Sequence, residues 1–322
     1  MTHTLPVTLP DLRWISAFVA LSAAAAHAQD PSITTGPADT TIPQLYDCAG
    51  GRPTAVGQIT SQDGTVWTVP ADTQFADAPK AADLYNECNG VTPSSTAEAD
   101  IDSVPVIDAG GSEEFTAYLF GDNYFELYAN GQLLAVDAVP FTPFNSSVVR
   151  FTVERPVTLA VMMVDWEENL GLGSEQGRGV SYSPGDGGLT MLVTDAAGEV
   201  VTLTDETWRA ETFYTGPLAD AACLDTDGPL RDSSACEIPR SNDGSAYMAA
   251  HWPVPTDWVA PDFDDSAWPQ ATTYDNDTVG VANKPSFTNF PDLFDRAGAD
   301  AQFIWSSNLV LDNLVLLRRT FD

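Results

Sequence analysis

The densest grouping of side chains able to do chemistry lies between Val164 and Gly179. Asp165, Glu167, Glu168, Asn169 and Glu175 fall within eleven residues there, with glycines that permit tight turns. Oxygen ligands at such short spacing suit Ca2+, which takes about six to eight oxygens in a flexible cage. Asp165, Glu167, Glu168 and Glu175 are therefore the expected metal ligands, and a solvated acidic loop is the competing reading. The spacing is not that of an EF-hand. Trp166 sits among these acids. An aromatic face for the C–H side of a sugar ring, beside a carboxylate or an amide such as Asn169 for its hydroxyls, is a glycan-binding combination. Tyr247, Trp252 and Trp258 form a second aromatic group in a Pro-rich stretch. They either pack against a sheet or line a glycan groove. No catalytic residue is assigned. His251 has no G-x-S-x-G elbow to serve, and the stretch Gly173–Gly179 lacks the Lys-Ser/Thr of a phosphate-binding loop. Paired carboxylates for glycoside hydrolysis stay open, because their separation in space is not written in a sequence.

These residues need a rigid frame, and the surrounding pattern reads as strands. The acidic loop follows the apolar run Val157–Val164. Tyr124, Glu126 and Tyr128 alternate with Phe125, Leu127 and Ala129, the period of a strand with two different faces. Asn130-Gly131 then supplies the two positive-φ residues of a type I′ hairpin turn. Seven candidate strands lie in 113–121, 124–130, 132–139, 147–153, 157–166, 188–195 and 199–205, with a second hairpin signal at Asp195-Ala196-Ala197-Gly198. Residues 216–262 read as irregular, and 301–322 return to strand pattern. Residues 64–71 alternate as a strand, and Lys80–Cys88 is expected to hold a short helix. No period of about 20–50 residues repeats, so a solenoid or propeller is not expected.

Composition sets the compartment. Residues 1–28 read as a secretory signal: Arg13, an apolar run from Trp14 to Leu21, and Ala26-His27-Ala28 as the cleavage site. No later run has the ~20 apolar residues of a transmembrane helix. The chain carries 46 acids against 13 bases, a formal net charge of −33. Such a surface repels phosphate backbones and suits a salty medium, so nucleic acid is not an expected partner and a halophilic character is. Cys48, Cys88, Cys223 and Cys236 give an even count in an exported chain, which implies two disulfides. Three pairings are possible. Cys48–Cys88 with Cys223–Cys236 is favoured, because each pair brackets one loop-rich stretch. The expected organisation is a signal (1–28), a disordered lead-in (29–45), a small cystine-tied unit with its linker (46–103) and one all-β sandwich domain (104–322).

Taken in order, Val104 to Ala271 resembles the galactose-binding-like jelly-roll module that accompanies bacterial α-L-rhamnosidases and related secreted carbohydrate-active proteins. The segments that carry the likeness are Asp122–Gly131, the strands at 147–153 and 157–164, the hairpin at 188–205 with Thr207-Trp208-Arg209, and Phe263–Ala271, in which Trp268 closes an acidic turn. In that family a Trp-Ile-Trp strand and an arginine-containing strand open the module. Here the matching segment, Phe303–Phe321, stands at the C-terminus, so the resemblance implies a jelly roll closed in circularly permuted order, the alternative being that a second, truncated module begins there. It implies an extracellular glycan or polysaccharide as partner and a periplasmic or extracellular location. The helical barrel that holds the catalytic acids of rhamnosidases has no room here. The expectation is a secreted, non-catalytic carbohydrate-binding protein assisted by calcium; the alternatives are a structural or adhesive extracellular protein and a glycan hydrolase.

Overall fold

The computed structural model describes Met1 and residues 30–176, 182–226, 230–240 and 243–322. Met1 apart, the expected signal segment lies outside the described residues. The chain opens with β1 (Ser32–Thr35), β2 (Asp39–Ile42), β3 (Val56–Thr60), β4 (Val66–Val69), β5 (Ala82–Tyr85) and β6 (Val106–Asp108). The long strands follow: β7 (Glu113–Asp122), β8 (Tyr124–Ala129), β9 (Gln132–Val136), β10 (Ser146–Val153), β11 (Val157–Val164), β12 (Gly188–Asp195), β13 (Val200–Leu203) and β14 (Arg209–Leu218). The last are β15 (Met248–His251), β16 (Thr272–Tyr274), β17 (Asp295–Arg296), β18 (Ala299–Asp300), β19 (Phe303–Trp305) and β20 (Asp312–Phe321). Among the described residues helix is confined to short turns, and none of these is long and apolar enough to cross a membrane.

The expected all-β class is what the chain adopts. Two large sheets face each other. A central sheet runs β1-β15-β14-β20-β11-β8-β9, and a covering sheet runs β16-β19-β12-β7-β10-β5, with β13 beside β12 and β6 beside β10. Phe115, Ala117 and Leu119 of β7 and Val149, Phe151 and Val153 of β10 meet Val157, Leu159, Val161 and Met163 of β11 in one apolar core. Each strand sends alternate side chains into it. The seven strands expected between residues 113 and 205 are all present. Asn130 and Gly131 turn the β8–β9 hairpin with φ of 47° and 84°.

The C-terminal strand β20 lies between β11 and β14, hydrogen-bonded along both edges. Its apolar run would otherwise present an unpaired edge. The central sheet is buried on its other face too. Ala160, Met162 and Val164 of β11 join Leu314, Leu316, Trp166, Trp252, Trp258 and Trp268 in a second core. This is why Val157–Val164 is buried at every position, and apolar at all but Thr158, rather than alternating.

That second core is roofed by segments the sequence assigned elsewhere. The expected disordered lead-in holds β1, which pairs with β15 from Ser32↔His251 to Thr35↔Met248. The cystine-tied segment is not free-standing: β5 is an edge strand on β10, and Val56, Ala71 and Phe75 pack into the second core. The helix expected in Lys80–Cys88 is replaced by β5 and a single 3-10 turn at Glu87–Asn89, capped by the Asn86 side chain. Tertiary pairing overrides local propensity there. β14 and β15 also lie in or beside stretches read as irregular. β14 carries Arg209, Glu211, Gly216 and Pro217, which hide a central strand. Both disulfides have the favoured pairing, Cys48–Cys88 and Cys223–Cys236, and no cysteine is free among the described residues.

Candidate functional site

The acidic loop leaves β11 at Val164, and each of its side chains has a distinct setting. Trp166 is fully buried. Its indole N–H donates to the Ala55 carbonyl at 3.2 Å, and its ring meets Tyr124 edge-on at 5.9 Å. It fixes the N-terminal segment onto the loop. Glu167 is 1% exposed and accepts hydrogen bonds from Gly171 N–H (2.7 Å), Gly173 N–H and Tyr214 O–H (2.9 Å). Burial pushes its carboxyl up to about 7 against the pull of these donors. Glu168 takes a two-pronged contact from Arg52, with Nε at 2.9 Å and Nη2 at 2.8 Å, and Glu175 takes Arg52 Nη2 at 2.9 Å. Burial opposes the charge on Glu168, but the Arg52 fork outweighs it and holds the carboxyl low; burial wins at Glu175, which is raised. Asn169 bonds to Ser174 and accepts from the Gln176 side chain at 2.8 Å, which closes the turn.

Asp165 is buried, and one carboxyl oxygen, Oδ1, has no hydrogen-bond partner. Desolvation, then the charges of Glu175, Asp122, Asp186 and Glu167, hold its pKa well above the ordinary value. Gly185 lies against it: a Cβ there would stand 2.6 Å from Asp165 Oδ2. Of the four carboxylates expected to share calcium, Glu168 and Glu175 share Arg52, while Glu167 is held by the loop backbone and Tyr214. Among the described residues no group of three or more His, Cys, Asp or Glu side chains is arranged to hold a metal ion.

Next to this loop are two adjoining hollows of about 280 and 210 Å3, which share Arg52, Phe144 and Lys284. The first is walled by Tyr85, Glu87 and Ser286, the second by Asp122, Asn123, Glu175 and Asp186. The Cys48–Cys88 bond ties together the chain that supplies Arg52 and the chain that supplies Tyr85 and Glu87. Asn123 is fixed by its own side chain: Nδ2 donates to Asp122 Oδ1 at 2.8 Å, and Oδ1 accepts from Trp166 N–H. Lys284 Nζ stands 4.5 Å from the Phe144 ring centre and makes no salt bridge among the described residues. This polar cleft therefore combines anchored donors and acceptors with two aromatic rings. The sequence reading found Glu175 but not Arg52, Tyr85, Phe144 or Lys284. Only the rarity of lysine, Lys80 and Lys284 being the two in the chain, singled Lys284 out.

A second cleft, of about 300 Å3, opens beside the outer face of the central sheet. Tyr214 on β14 and His251 on β15 are directly opposite, which stacks their rings at 4.5 Å and 11°. Trp67 on β4 stacks on the other side of His251 at 5.2 Å and 19°. Trp252, Phe213 and Asp72 complete the wall. His251 is buried, its Nε2 is 3.1 Å from Thr34 Oγ1, and desolvation lowers its pKa to about 3, so it is a neutral ring. The indole N–H groups of Trp67 and Trp252 are buried and have no hydrogen-bond partner. Each such donor costs about 1–3 kcal/mol until something accepts from it.

The remaining expected ligand residues are packing residues. Trp258 meets Tyr128 edge-on at 5.4 Å, and its carbonyl accepts from the buried Arg318. Tyr247 is 1% exposed and meets Tyr182 at 5.8 Å. Of the aromatics expected to contact ligand, Trp252 alone lines one of these three hollows. Comparison with protein families, curated proteins and solved structures gives no match for this chain.

Proposed function

We propose that the protein is an exported, non-catalytic glycan-binding protein and that the polar cleft around Arg52 and Lys284 receives the glycan. The observation that carries this reading is the lining of that cleft. Donors from Arg52, Asn123 and Lys284 and acceptors from Asp122, Glu175 and Asp186 surround a space that also exposes Phe144 and Tyr85. Sugar hydroxyls both donate and accept, and pyranose C–H faces favour aromatic rings, so a polyhydroxylated ring satisfies all three kinds of group. The two disulfides support export. The motif likeness to galactose-binding-like jelly rolls of secreted carbohydrate-active proteins points the same way, although fold likeness alone never assigns a ligand.

The test is retention on insoluble and arrayed polysaccharides, comparing the parent with Lys284→Ala. Among the described residues Lys284 has no ion pair to lose, only its contact with the Phe144 ring, so the variant is expected to lower the unfolding midpoint little and to bind about tenfold more weakly. Failure of the parent to bind any glycan ends the reading. Calcium enters as one arm: binding is expected to survive EDTA, because Glu167, Glu168 and Glu175 already have hydrogen-bonding partners.

One observation favours a second reading. Asp122, Glu175 and Asp186 line one hollow, and burial raises Glu175, as a glycoside hydrolase needs of its general acid. Release of reducing ends from polysaccharide, abolished by Glu175→Gln, is the result that would establish it.

A further inference from the structure

We infer that the glycan taken by the polar cleft is acidic: the cleft receives a uronate residue, with the sugar carboxylate on Lys284 and Arg52 and the ring hydroxyls on the neighbouring acids. The inference rests on the glycan-binding reading and names the class of sugar.

Lys284 carries it. The chain has 46 acids and 13 bases, so a cation in it rarely lacks an acid to pair with. Every other buried or half-buried cation among the described residues donates to a carboxylate or a backbone carbonyl. Lys80, the other lysine, donates to the Ala78 carbonyl at 3.1 Å. Lys284 is half-buried and does neither; its ammonium has the face of Phe144, 4.5 Å from the ring centre. A cation drawn partly out of water without a counter-charge is costly, and an anionic ligand group supplies that charge.

The surroundings hold this cation in place. Phe144 is itself stacked on Phe120, with ring centres 5.8 Å apart and planes at 24°. The Lys284 carbonyl accepts from Phe287 N–H at 2.9 Å and from Thr288 N–H at 2.8 Å, which fixes the backbone at the base of the side chain. Arg52 borders both hollows with Lys284. Its Nε and Nη2 serve Glu168 and Glu175, while Nη1 makes no hydrogen bond among the described residues and is not sealed from solvent.

The acids of the lining set the rest of the ligand. Glu87 in the first hollow and Asp122, Glu175 and Asp186 in the second are acceptors suited to hydroxyl donors. A neutral sugar would serve these acids and leave Lys284 without a counter-charge. A heavily sulfated sugar would serve Lys284 and be repelled by the acids. A ring with one carboxylate and several hydroxyls answers both.

The experiment titrates the full mature protein calorimetrically with polygalacturonate, polymannuronate and glucuronoxylan, each beside its carboxyl-reduced form, in about 0.5 M NaCl. Salt at that level screens the repulsion of the acidic surface and weakens a half-buried contact pair far less. At least one uronate polymer is expected to bind about tenfold more tightly than its reduced form, which keeps the ring and loses the charge. Lys284→Gln is expected to erase that preference and Lys284→Arg to keep it, with thermal unfolding reporting that both variants are folded. Equal binding of charged and reduced polymers by the parent overturns the inference and leaves the glycan-binding reading standing; this arm needs no variant. A preference that survives in Lys284→Gln overturns it too. Binding to a sulfated galactan but to none of the uronates overturns the carboxylate assignment. Binding to no polysaccharide at all ends the glycan-binding reading, and this inference with it.

Discussion

On its inner face the central sheet meets another sheet; on its outer face it meets a small hairpin sheet and irregular chain. The inner contact is built from alternating apolar side chains of strands whose backbones are already hydrogen-bonded. The outer contact is built from aromatic rings, buried acids and a buried arginine. Irregular chain has no ladder of its own, so its buried polar groups must find individual partners. Arg318 supplies three contacts: Nε to Asp265 at 2.8 Å, Nη2 to the Ala260 carbonyl at 3.1 Å, and Nη1 to the Trp258 carbonyl. Glu126 accepts from Gln74 N–H and from the Tyr124 and Tyr128 hydroxyls. Trp166 reaches Ala55. A sheet-on-sheet interface closes completely, whereas a roof held at discrete points leaves hollows lined with polar groups. The aromatic cleft lies under that roof, and the polar cleft lies where its N-terminal part meets the acidic loop.

The largest expected effect comes from untying the roof. All four cysteines lie in irregular chain or single turns, none in a sandwich strand. Cys48–Cys88 closes a separation of 40 residues and Cys223–Cys236 one of 13. Loop-closure entropy then gives roughly 4 and 3 kcal/mol. Denaturant unfolding of the paired Cys→Ser variants is expected to show the larger loss for Cys48/Cys88, with tryptophan emission shifting toward that of exposed indole before the strand signal in circular dichroism changes. Simultaneous loss of both signals would mean that the roof and the sandwich are one cooperative unit, and the distinction between the faces would fall.

Neighbouring positions on β20 sharpen the comparison. Leu317 points to the inner core and Arg318 to the outer. Leu317→Met keeps volume and apolarity and is expected to cost less than about 1.5 kcal/mol. Arg318→Lys keeps the charge but loses the planar fork that serves three acceptors in different directions, and is expected to cost roughly 2–3 kcal/mol. Equal costs in thermal unfolding would show that the outer contact depends on charge and volume rather than on directed hydrogen bonds.

The same division explains what the sequence disclosed. The inner face was legible because period-2 alternation and Asn130-Gly131 are local signals, and the hairpin and seven strands follow from them. That Phe303–Phe321 pairs inside the sheets was readable from its strand pattern, too apolar to stay unpaired. The outer face was not legible. β5 and β1 are strands only because β10 and β15 offer them an edge. Trp166 and Trp258 looked like ligand contacts because aromatics beside acids have that chemistry, yet burial by chain more than a hundred residues away in sequence turned Trp166 into a packing residue. Glu168 and Glu175 were seen, but their partner Arg52 lies in a segment with no local pattern. The aromatic cleft needs Trp67, Tyr214 and His251 from three strands, and only their cross-strand register brings them together.

Titration separates the faces with the smallest perturbation. Glu211 on β14 pairs in register with Leu316 and so belongs to the outer face. It is 4% exposed, and desolvation raises its carboxyl to about 7, with Arg231 and the Thr212 N–H pulling the other way. A folded value above the unfolded value of about 4.5 means that the fold prefers the neutral acid. Its stabilising contribution is complete below about pH 4.5 and is lost as pH rises through 7. Asp137 and Glu167, also raised to about 7 by burial, and Asp312, raised to about 6, add to the same trend. The parent is therefore expected to unfold at a lower temperature at pH 8 than at pH 5. Glu211→Gln removes one contributor while keeping the shape, so the variant is expected to exceed the parent by about 2 kcal/mol at pH 8, with the advantage vanishing near pH 4. A variant that is less stable than the parent at pH 8 would mean that Glu211 is held as a carboxylate by Arg231, and that the outer face is stabilised by a buried ion pair at this point rather than by a neutral acid.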